Sequence, residues 1–224
     1  MDGLSHPALT AYLEGLVERP HPLLLEMEQR AAETNFPIVG PVVGQLFYWL
    51  TRLTGARRIF ELGSGYGYST AWFALAVRAN GGGTVHHTVW DADLSRQAQE
   101  YLARMGLSDL MTYHVGEAVE TLQRVGGEYD IIFCDIDKAG YPASLPVVKR
   151  HLRVGGLALY DNALWSGRVW DAQDTSEATD AIRTLTQQMT RDPDLQTVLF
   201  PVRDGVLAAI KLRSQGNSTC HLMQ

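Results

Sequence analysis

Oxygen-bearing side chains end two neighbouring apolar runs of the chain. Asp135 closes the run 129–135, and Asp161 and Asn162 close the run 157–161. The carboxyl ends of parallel strands meet at one edge of a sheet, so we expect these side chains to lie together. They could be loop caps, but two close carboxylates repel without a cation or a proton between them. The pattern therefore predicts a site for a hard divalent cation, with Mg²⁺ first and Mn²⁺ or Ca²⁺ as alternatives.

Lys138 lies three residues after Asp135, on the same predicted loop. A cation nearby would favour the neutral amine, which can accept a proton from a reacting group. A lone loop lysine is otherwise a solvated charge. Its neighbours make Lys138 a candidate general base.

A glycine-rich segment follows the first predicted strand, where residues 61–69 read ELGSGYGYS. Glycine at 63 and 65 lets the backbone turn sharply and approach a ligand. A dinucleotide fingerprint would need its third glycine at position 68, where this chain has Tyr68, which disfavours a nicotinamide or flavin cofactor. Glu61 could bind a cationic amine, such as that of S-adenosylmethionine. The alternative is a tight strand-to-helix turn with no ligand.

Acids also follow the second and third predicted strands. Asp91 can accept both hydroxyls of a ribose, and Asp93 is the candidate N-cap of the next helix. The turn of Glu117 and Ala118 could bond an adenine amine, or Glu117 could be a solvent-facing acid favoured by the helix dipole. These features fit a dinucleotide as well as S-adenosylmethionine.

The elements that must position these residues alternate along the chain. Apolar runs at 58–62, 85–90, 111–115, 129–135 and 157–161 are separated by helical stretches at 69–79, 94–105, 118–125 and 144–152. This alternation predicts a parallel sheet with helices on both faces. A helix over 177–191 is followed by two apolar runs, 197–201 and 206–212, joined through Asp204-Gly205, which predicts an antiparallel hairpin.

The ends of the chain differ from this pattern. Residues 1–55 are predicted to form a helical cap on the same domain, with Leu9, Leu13, Leu16 and Val17 on one helical face. Residues 56–213 form the core, and 214–224 is a polar tail. The run 85–90 is unusually polar, so its histidines, His86 and His87, are predicted to face a rim of the sheet.

Net charge, cysteine usage and the lengths of the apolar runs disfavour several classes of protein. The 224 residues carry a net charge of −6, which disfavours a broad grip on phosphate backbones. Cys134 lies in an apolar run and Cys220 in the tail, so no disulfide framework is indicated and a reducing cytoplasm is expected. We expect no secretory signal and no membrane span, since no apolar stretch approaches about 20 residues.

Three motifs together resemble one known family. Residues 61–69, 134–138 (CDIDK) and 161–169 (DNALWSGRV) are similar to the cation-dependent class I O-methyltransferases, which include the catechol and caffeoyl-CoA O-methyltransferases. The resemblance covers about residues 22–212. It implies a Rossmann-like class I methyltransferase fold with a mostly parallel seven-stranded sheet, and a homodimer. It also implies S-adenosylmethionine as methyl donor.

The resemblance also assigns roles to individual residues. The metal ligands would be Asp135, Asp161 and Asn162, with Lys138 as general base. Tyr141, Trp165 and the segment 36–39 would lie near the acceptor. The cofactor contacts would be Val39, Glu61, Gly63, Gly65, Ser69, Asp91, Glu117, Ala118 and Asp135.

The expected acceptor is a small molecule with vicinal hydroxyls, as in a catechol. Residues 25–38 and 192–197 also resemble a bacterial branch that methylates 5-hydroxyuridine in transfer RNA. That alternative needs a basic patch at the mouth of the site, for which Lys149, Arg150, Arg153 and Arg168 are available. A protein that binds S-adenosylmethionine without turnover is a further alternative, but it would not need a base beside a cation.

Overall fold

The computed structural model describes residues 7–213, so the predicted tail and Cys220 lie outside the described residues. Within them, seven strands form one sheet in the order β3-β2-β1-β4-β5-β7-β6. The strands are β1 Arg58–Leu62, β2 Thr84–Val89, β3 Met111–Val115, β4 Tyr129–Cys134, β5 Leu152–Tyr160, β6 Leu195–Phe200 and β7 Val206–Lys211. The first five pair in parallel, and β7 is antiparallel to both of its neighbours. The predicted fold is confirmed.

Helices cover both faces of the sheet. They are α1 Pro7–Gly15, α2 Leu23–Thr34, α3 Gly40–Leu53, α4 Tyr68–Ala79, α5 Ala92–Arg104, α6 Ala118–Val125, α7 Tyr141–His151 and α8 Glu177–Arg191. Alternate strand residues enter two separate apolar clusters, because successive side chains of a strand point to opposite faces. Ile59 and Phe133 belong to the cluster that includes residues of helices α2 through α5. Phe60 and Ile132 belong to the cluster that includes residues of helices α6 through α8.

The fifth strand begins five residues earlier than its apolar run predicted. Leu152 already pairs with Tyr129, and a register shift separates this pair from the regular ladder that begins at Leu157. Arg153 and the Gly155-Gly156 pair interrupt the apolar pattern, so the sequence showed only the second half of the strand.

The second strand corrects our expectation for its histidines. His87 is fully buried, with Nδ1 at 3.1 Å from Oγ1 of Thr70, and His86 is stacked on Phe60 with Nδ1 at 3.0 Å from Nε2 of His114. The prediction that they face a rim was wrong, because β2 lies between β1 and β3 with both faces covered. Burial lowers the pKa of His87 to about 3 and that of His86 to about 4.

The N-terminal helices behave in two ways. The predicted apolar face of the first helix does not enter the core: Leu16 is exposed and of that set Val17 alone is buried. By contrast, α2 and α3 pack into the same apolar cluster as α4, and the Tyr66 hydroxyl donates to the backbone oxygen of Met27 at 2.7 Å. The glycine-rich turn is therefore anchored directly to α2.

None of the helices between residues 7 and 213 is both long enough and apolar enough to cross a membrane.

Candidate active site

The glycine-rich turn lies between the carboxyl ends of three strands. The backbone nitrogens of Gly63 and Ser64 donate to the carbonyl of Thr88, at 3.2 and 3.0 Å. Gly63 has φ +87°, and a Cβ there would lie 2.4 Å from the backbone oxygen of Asp135. Only glycine allows this approach of the β1 turn to the end of β4, so Gly63 fixes the spacing of the two strand ends.

The segment before α3 closes the turn from the other side. The Phe36 ring lies 3.0 Å from the position of a Cβ on Gly65 and makes an edge contact with Tyr66 at 5.0 Å between ring centroids. Val39, which caps α3, is buried nearby in sequence. Val39 and Tyr66 belong to one apolar cluster and Phe36 packs against it, which links the two predicted cofactor residues Val39 and Gly65.

Glu61 is a fully buried carboxylate beneath the turn. Its Oε2 accepts a hydrogen bond from Oγ1 of Thr70, while Oε1 has no partner among residues 7–213. Burial raises the pKa of Glu61 to about 7, although the hydroxyls of Ser69 and Thr70 oppose the shift. A buried carboxylate oxygen without a partner costs free energy, and a cationic amine would satisfy it. This orphaned oxygen fits the amino-acid end of S-adenosylmethionine.

Asp91 and Glu117 both cap helices. Oδ1 of Asp91 accepts from the backbone nitrogens of Asp93 and Leu94 at 2.8 and 3.0 Å. The N-cap is therefore Asp91 and not Asp93, because Asp91 keeps the extended backbone that a cap requires. Glu117 caps α6 through the backbone nitrogen of Glu120 at 2.6 Å, and Ala118 is the first residue of that helix. Contacts of these residues with a cofactor stay a prediction.

Lys138 is held by three acceptors beside the end of β4. It begins the short turn Lys138–Gly140 and is 8% exposed. Its Nζ lies 2.6 Å from Oδ1 of Asp135, 3.2 Å from the backbone oxygen of Ile136 and 3.0 Å from the Tyr141 hydroxyl. The structure thus brings the candidate base into direct contact with the candidate metal ligand Asp135.

Asp161 and Asn162 follow β5 on the neighbouring strand. Asp161 is buried, and its backbone nitrogen donates to the backbone oxygen of Cys134 at 3.2 Å. Burial, and then the negative charge of Asp135, raise the pKa of Asp161 well above its ordinary range. A divalent cation would relieve this repulsion, so the donor set of Asp135, Asp161 and Asn162 fits a hard ion. No three His, Cys, Asp or Glu side chains between residues 7 and 213 converge on a metal site, so the amide of Asn162 and outside ligands would have to contribute.

The two predicted acceptor residues have different surroundings. Tyr141 is fully buried, and its hydroxyl lies 2.9 Å from the backbone oxygen of Asp161, where it supports the site from below. Trp165 is partly buried in the loop after β5, with the guanidinium of Arg168 5.4 Å from its ring. Their contact with an acceptor stays a prediction.

Sequence reasoning missed several polar residues around this edge. Thr70 and His87 extend the hydrogen-bonded chain from Glu61, and Asp204 bonds the side chain of Asn162 at 3.1 Å. The sequence indicates Asp204 only as a turn residue. Nothing in its spacing points to a residue 42 positions earlier.

Comparisons with known proteins point to one family. A family model described as O-methyltransferase matches residues 16–212. A Mycolicibacterium smegmatis protein classed as an O-methyltransferase is 32% identical over 185 residues, which are 82% of this chain and 87% of that protein.

Solved structures of similar proteins share the fold. That of an O-methyltransferase from Bacillus cereus in complex with SAH (S-adenosylhomocysteine) has a TM-score of 0.81 at 26% identity and covers 91% of this chain and 97% of its own. A Klebsiella pneumoniae protein classed as an O-methyltransferase has a TM-score of 0.81 at 29% identity, with 92% and 97% covered.

Proposed function

The chain belongs to the O-methyltransferase family and is an S-adenosylmethionine-dependent methyltransferase, and on that premise we propose its acceptor and its metal. The acceptor is a small molecule with vicinal hydroxyls, as in a catechol. A divalent cation assists the transfer, and Mg²⁺ is preferred over Mn²⁺ or Ca²⁺. The family resemblance implies a homodimer, and the lack of a disulfide framework in the sequence favours a reducing cytoplasm as its location.

One observation carries the proposal of a cation. Asp135 and Asp161 end adjacent strands, Asp161 is 2% exposed, and burial together with the charge of Asp135 raises the pKa of Asp161. Lys138 balances one negative charge, through its 2.6 Å contact with Asp135. A second positive charge would stabilise the pair, and a divalent cation is the natural source of it.

The residues have separable roles in this proposal. Asp135, Asp161 and Asn162 would hold the cation, which when bound lowers the pKa of an acceptor hydroxyl. Glu61 would bind the amine of S-adenosylmethionine, the donor of the methyl group. Lys138 would take the hydroxyl proton. A cation on Asp135 would compete with Lys138 for the same carboxylate, which would release the lysine from its ion pair.

The positions of the basic residues favour a small acceptor over transfer RNA. Lys149, Arg150 and Arg153 lie at the amino end of β5, whereas the site lies at its carboxyl end. A strand of nine residues separates the two by about 25 Å. Arg168, the remaining candidate, is ion-paired with Asp174 at 2.5 Å. The basic patch that transfer RNA would need at the mouth is not formed by these four residues.

The test is methyl transfer from labelled S-adenosylmethionine to a simple catechol, with Mg²⁺ and again with a chelator. We expect transfer that the chelator abolishes and that added Mg²⁺ restores. Transfer that survives complete removal of the metal would refute the role of the cation. Transfer to hypomodified transfer RNA but not to catechol would favour the alternative acceptor.

A pair of buried lysines provides a matched test of the base. Lys138→Met should lower kcat about 10²- to 10⁴-fold, the usual contribution of general base catalysis, with S-adenosylmethionine affinity within a few-fold. Lys149→Met is the control. The Lys149 side chain is about as buried as that of Lys138 and is ion-paired with Asp192 at 2.5 Å, but it lies near the amino end of β5, away from the site. Equal loss of kcat in both variants would show that a buried ion pair, and not a base, had been removed.

A further inference from the structure

The loop that follows β5 is held by the turn of the C-terminal hairpin. The backbone nitrogens of Ala163 and Leu164 donate to the carbonyls of Gly205 and Asp204, at 2.9 and 2.8 Å. A Cβ on Gly205 would lie 2.5 Å from Cγ of Leu164. The two segments are therefore in contact along their backbones, without room for a side chain between them.

Asp204 adds two bonds from its carboxylate. Oδ1 accepts from the backbone nitrogen of Ser166 at 2.5 Å, and Oδ2 accepts from Nδ2 of Asn162 at 3.1 Å. Asn162, Trp165 and Ser166 all have positive φ, between 48° and 56°. Side chains disfavour this backbone region, and it persists where the surroundings determine it. The hydrogen bonds that Asp204 accepts from Asn162 and Ser166 hold this backbone conformation at both ends of the loop.

The bond to Asn162 also fixes which end of its amide faces outward. A carboxylate only accepts hydrogen bonds, so the amide must turn its nitrogen towards Asp204. Oδ1 of Asn162 is then directed away, and it accepts no hydrogen bond from any residue between 7 and 213. An amide oxygen is a ligand for a hard cation, and an amide nitrogen is not.

We infer that Asp204 is a positioning residue that presents the oxygen of Asn162 to the divalent cation. This inference rests on the proposed function, since it assumes that Asn162 is a metal ligand. It assigns the hairpin turn a role in the site, although Asp204 itself is not a ligand. Residues that orient a metal ligand commonly change metal affinity 10- to 100-fold when replaced.

The substitution Asp204→Asn tests the inference almost isosterically. The new amide at position 204 keeps its oxygen on the nitrogen of Ser166 and turns its NH₂ towards Asn162. The Asn162 amide must then flip, which directs its own NH₂ towards the cation. We expect Mn²⁺ affinity to fall at least tenfold.

The double variant Asn162→Asp/Asp204→Asn exchanges the two groups. The carboxylate at position 162 accepts from the new amide with one oxygen and offers the other to the cation, so Mn²⁺ affinity should return. Asp174→Asn is the control, because Asp174 lies in the segment after β5 and its Oδ1 also accepts from a backbone nitrogen there, that of Ser176 at 2.9 Å, but it has no hydrogen bond with Asn162.

The measurement is Mn²⁺ binding followed by the electron paramagnetic resonance signal of the free ion, in the presence of S-adenosylhomocysteine. Thermal unfolding of each apoprotein is recorded beside it. Tenfold weaker binding in Asp204→Asn, recovery in the double variant and less than twofold change in Asp174→Asn would support the inference. If Asp204→Asn does not fold, the double variant still decides, since a folded double variant that fails to bind Mn²⁺ overturns it.

Two other outcomes are distinguishable. Unchanged Mn²⁺ affinity in Asp204→Asn, while the wild-type protein binds the ion, overturns this inference and leaves the proposed cation intact. Absence of Mn²⁺ binding by the wild-type protein overturns the proposed cation and this inference with it.

Discussion

Gly63→Ala should push the glycine-rich turn away from the end of β4. The new methyl group would lie 2.4 Å from the backbone oxygen of Asp135, and the φ of +87° would have to be kept by an alanine. The left-handed backbone costs about 1–2 kcal/mol and overpacking about 1–3 kcal/mol, so we expect a loss of about 2–5 kcal/mol in the free energy of unfolding. For a domain of this size the melting temperature would fall by about 4–20 °C.

Gly81→Ala is the matched control. Gly81 has φ +91°, and a Cβ there would have no atom within 4 Å, so the substitution carries the backbone cost alone, about 1–2 kcal/mol. The difference in the free energy of unfolding between the two variants then measures the cost of the contact with Asp135. Moving Asp135 should also weaken S-adenosylmethionine binding in Gly63→Ala, by at least tenfold, with no change in Gly81→Ala.

Calorimetry gives both quantities for the two variants. Thermal unfolding measures the stability difference, and titration with S-adenosylmethionine measures the affinity. Equal destabilisation of the two variants, with wild-type affinity in Gly63→Ala, would refute the argument that this close approach sets the spacing of the two strand ends.

Two further predictions concern buried titratable groups. Because burial raises the pKa of Glu61 from 4.5 to about 7, its contribution to stability is full below about pH 4.5 and is lost as the pH rises through about 7, by about 3 kcal/mol. In urea unfolding without cofactor, Glu61→Gln should therefore lose less stability than the wild-type protein between pH 5 and 8; parallel curves would contradict this. His87 is opposite in sign: burial lowers its pKa from 6.5 to about 3, so stability is lost as the pH falls below about 6.5. His87→Gln should lose less stability than the wild-type protein between pH 7 and 4.5, and an equal loss would show that His87 is not kept neutral in the fold.

Much of the fold could be predicted from local pattern. Apolar runs of strand length alternate with helical periodicity from Arg58 onwards, and the Asp204-Gly205 pair between two apolar runs indicates a hairpin. The order of the strands was not predicted, because the rules for short, right-handed connections only reduce the possible orders to a few. The pattern failed where it was interrupted, as at Arg153 and the two glycines of β5, because the pairing of Leu152 with Tyr129, and not side-chain alternation, holds the start of that strand in the sheet.

The sequence determined which residue types stand at the ends of the strands, and therefore the kind of chemistry available to the protein. The common location of Asp135, Lys138 and Asp161 could be predicted because carboxyl ends of neighbouring parallel strands must converge. The tertiary structure alone decided what surrounds them. Hydrogen bonds depend on positions within about 3 Å, and the partners of Asn162 and His87 come from distant parts of the chain. Burial is likewise a property of the packed sheet, so only the fold could show that the polar strand β2 lies inside it and that Glu61 is left with an unpaired oxygen.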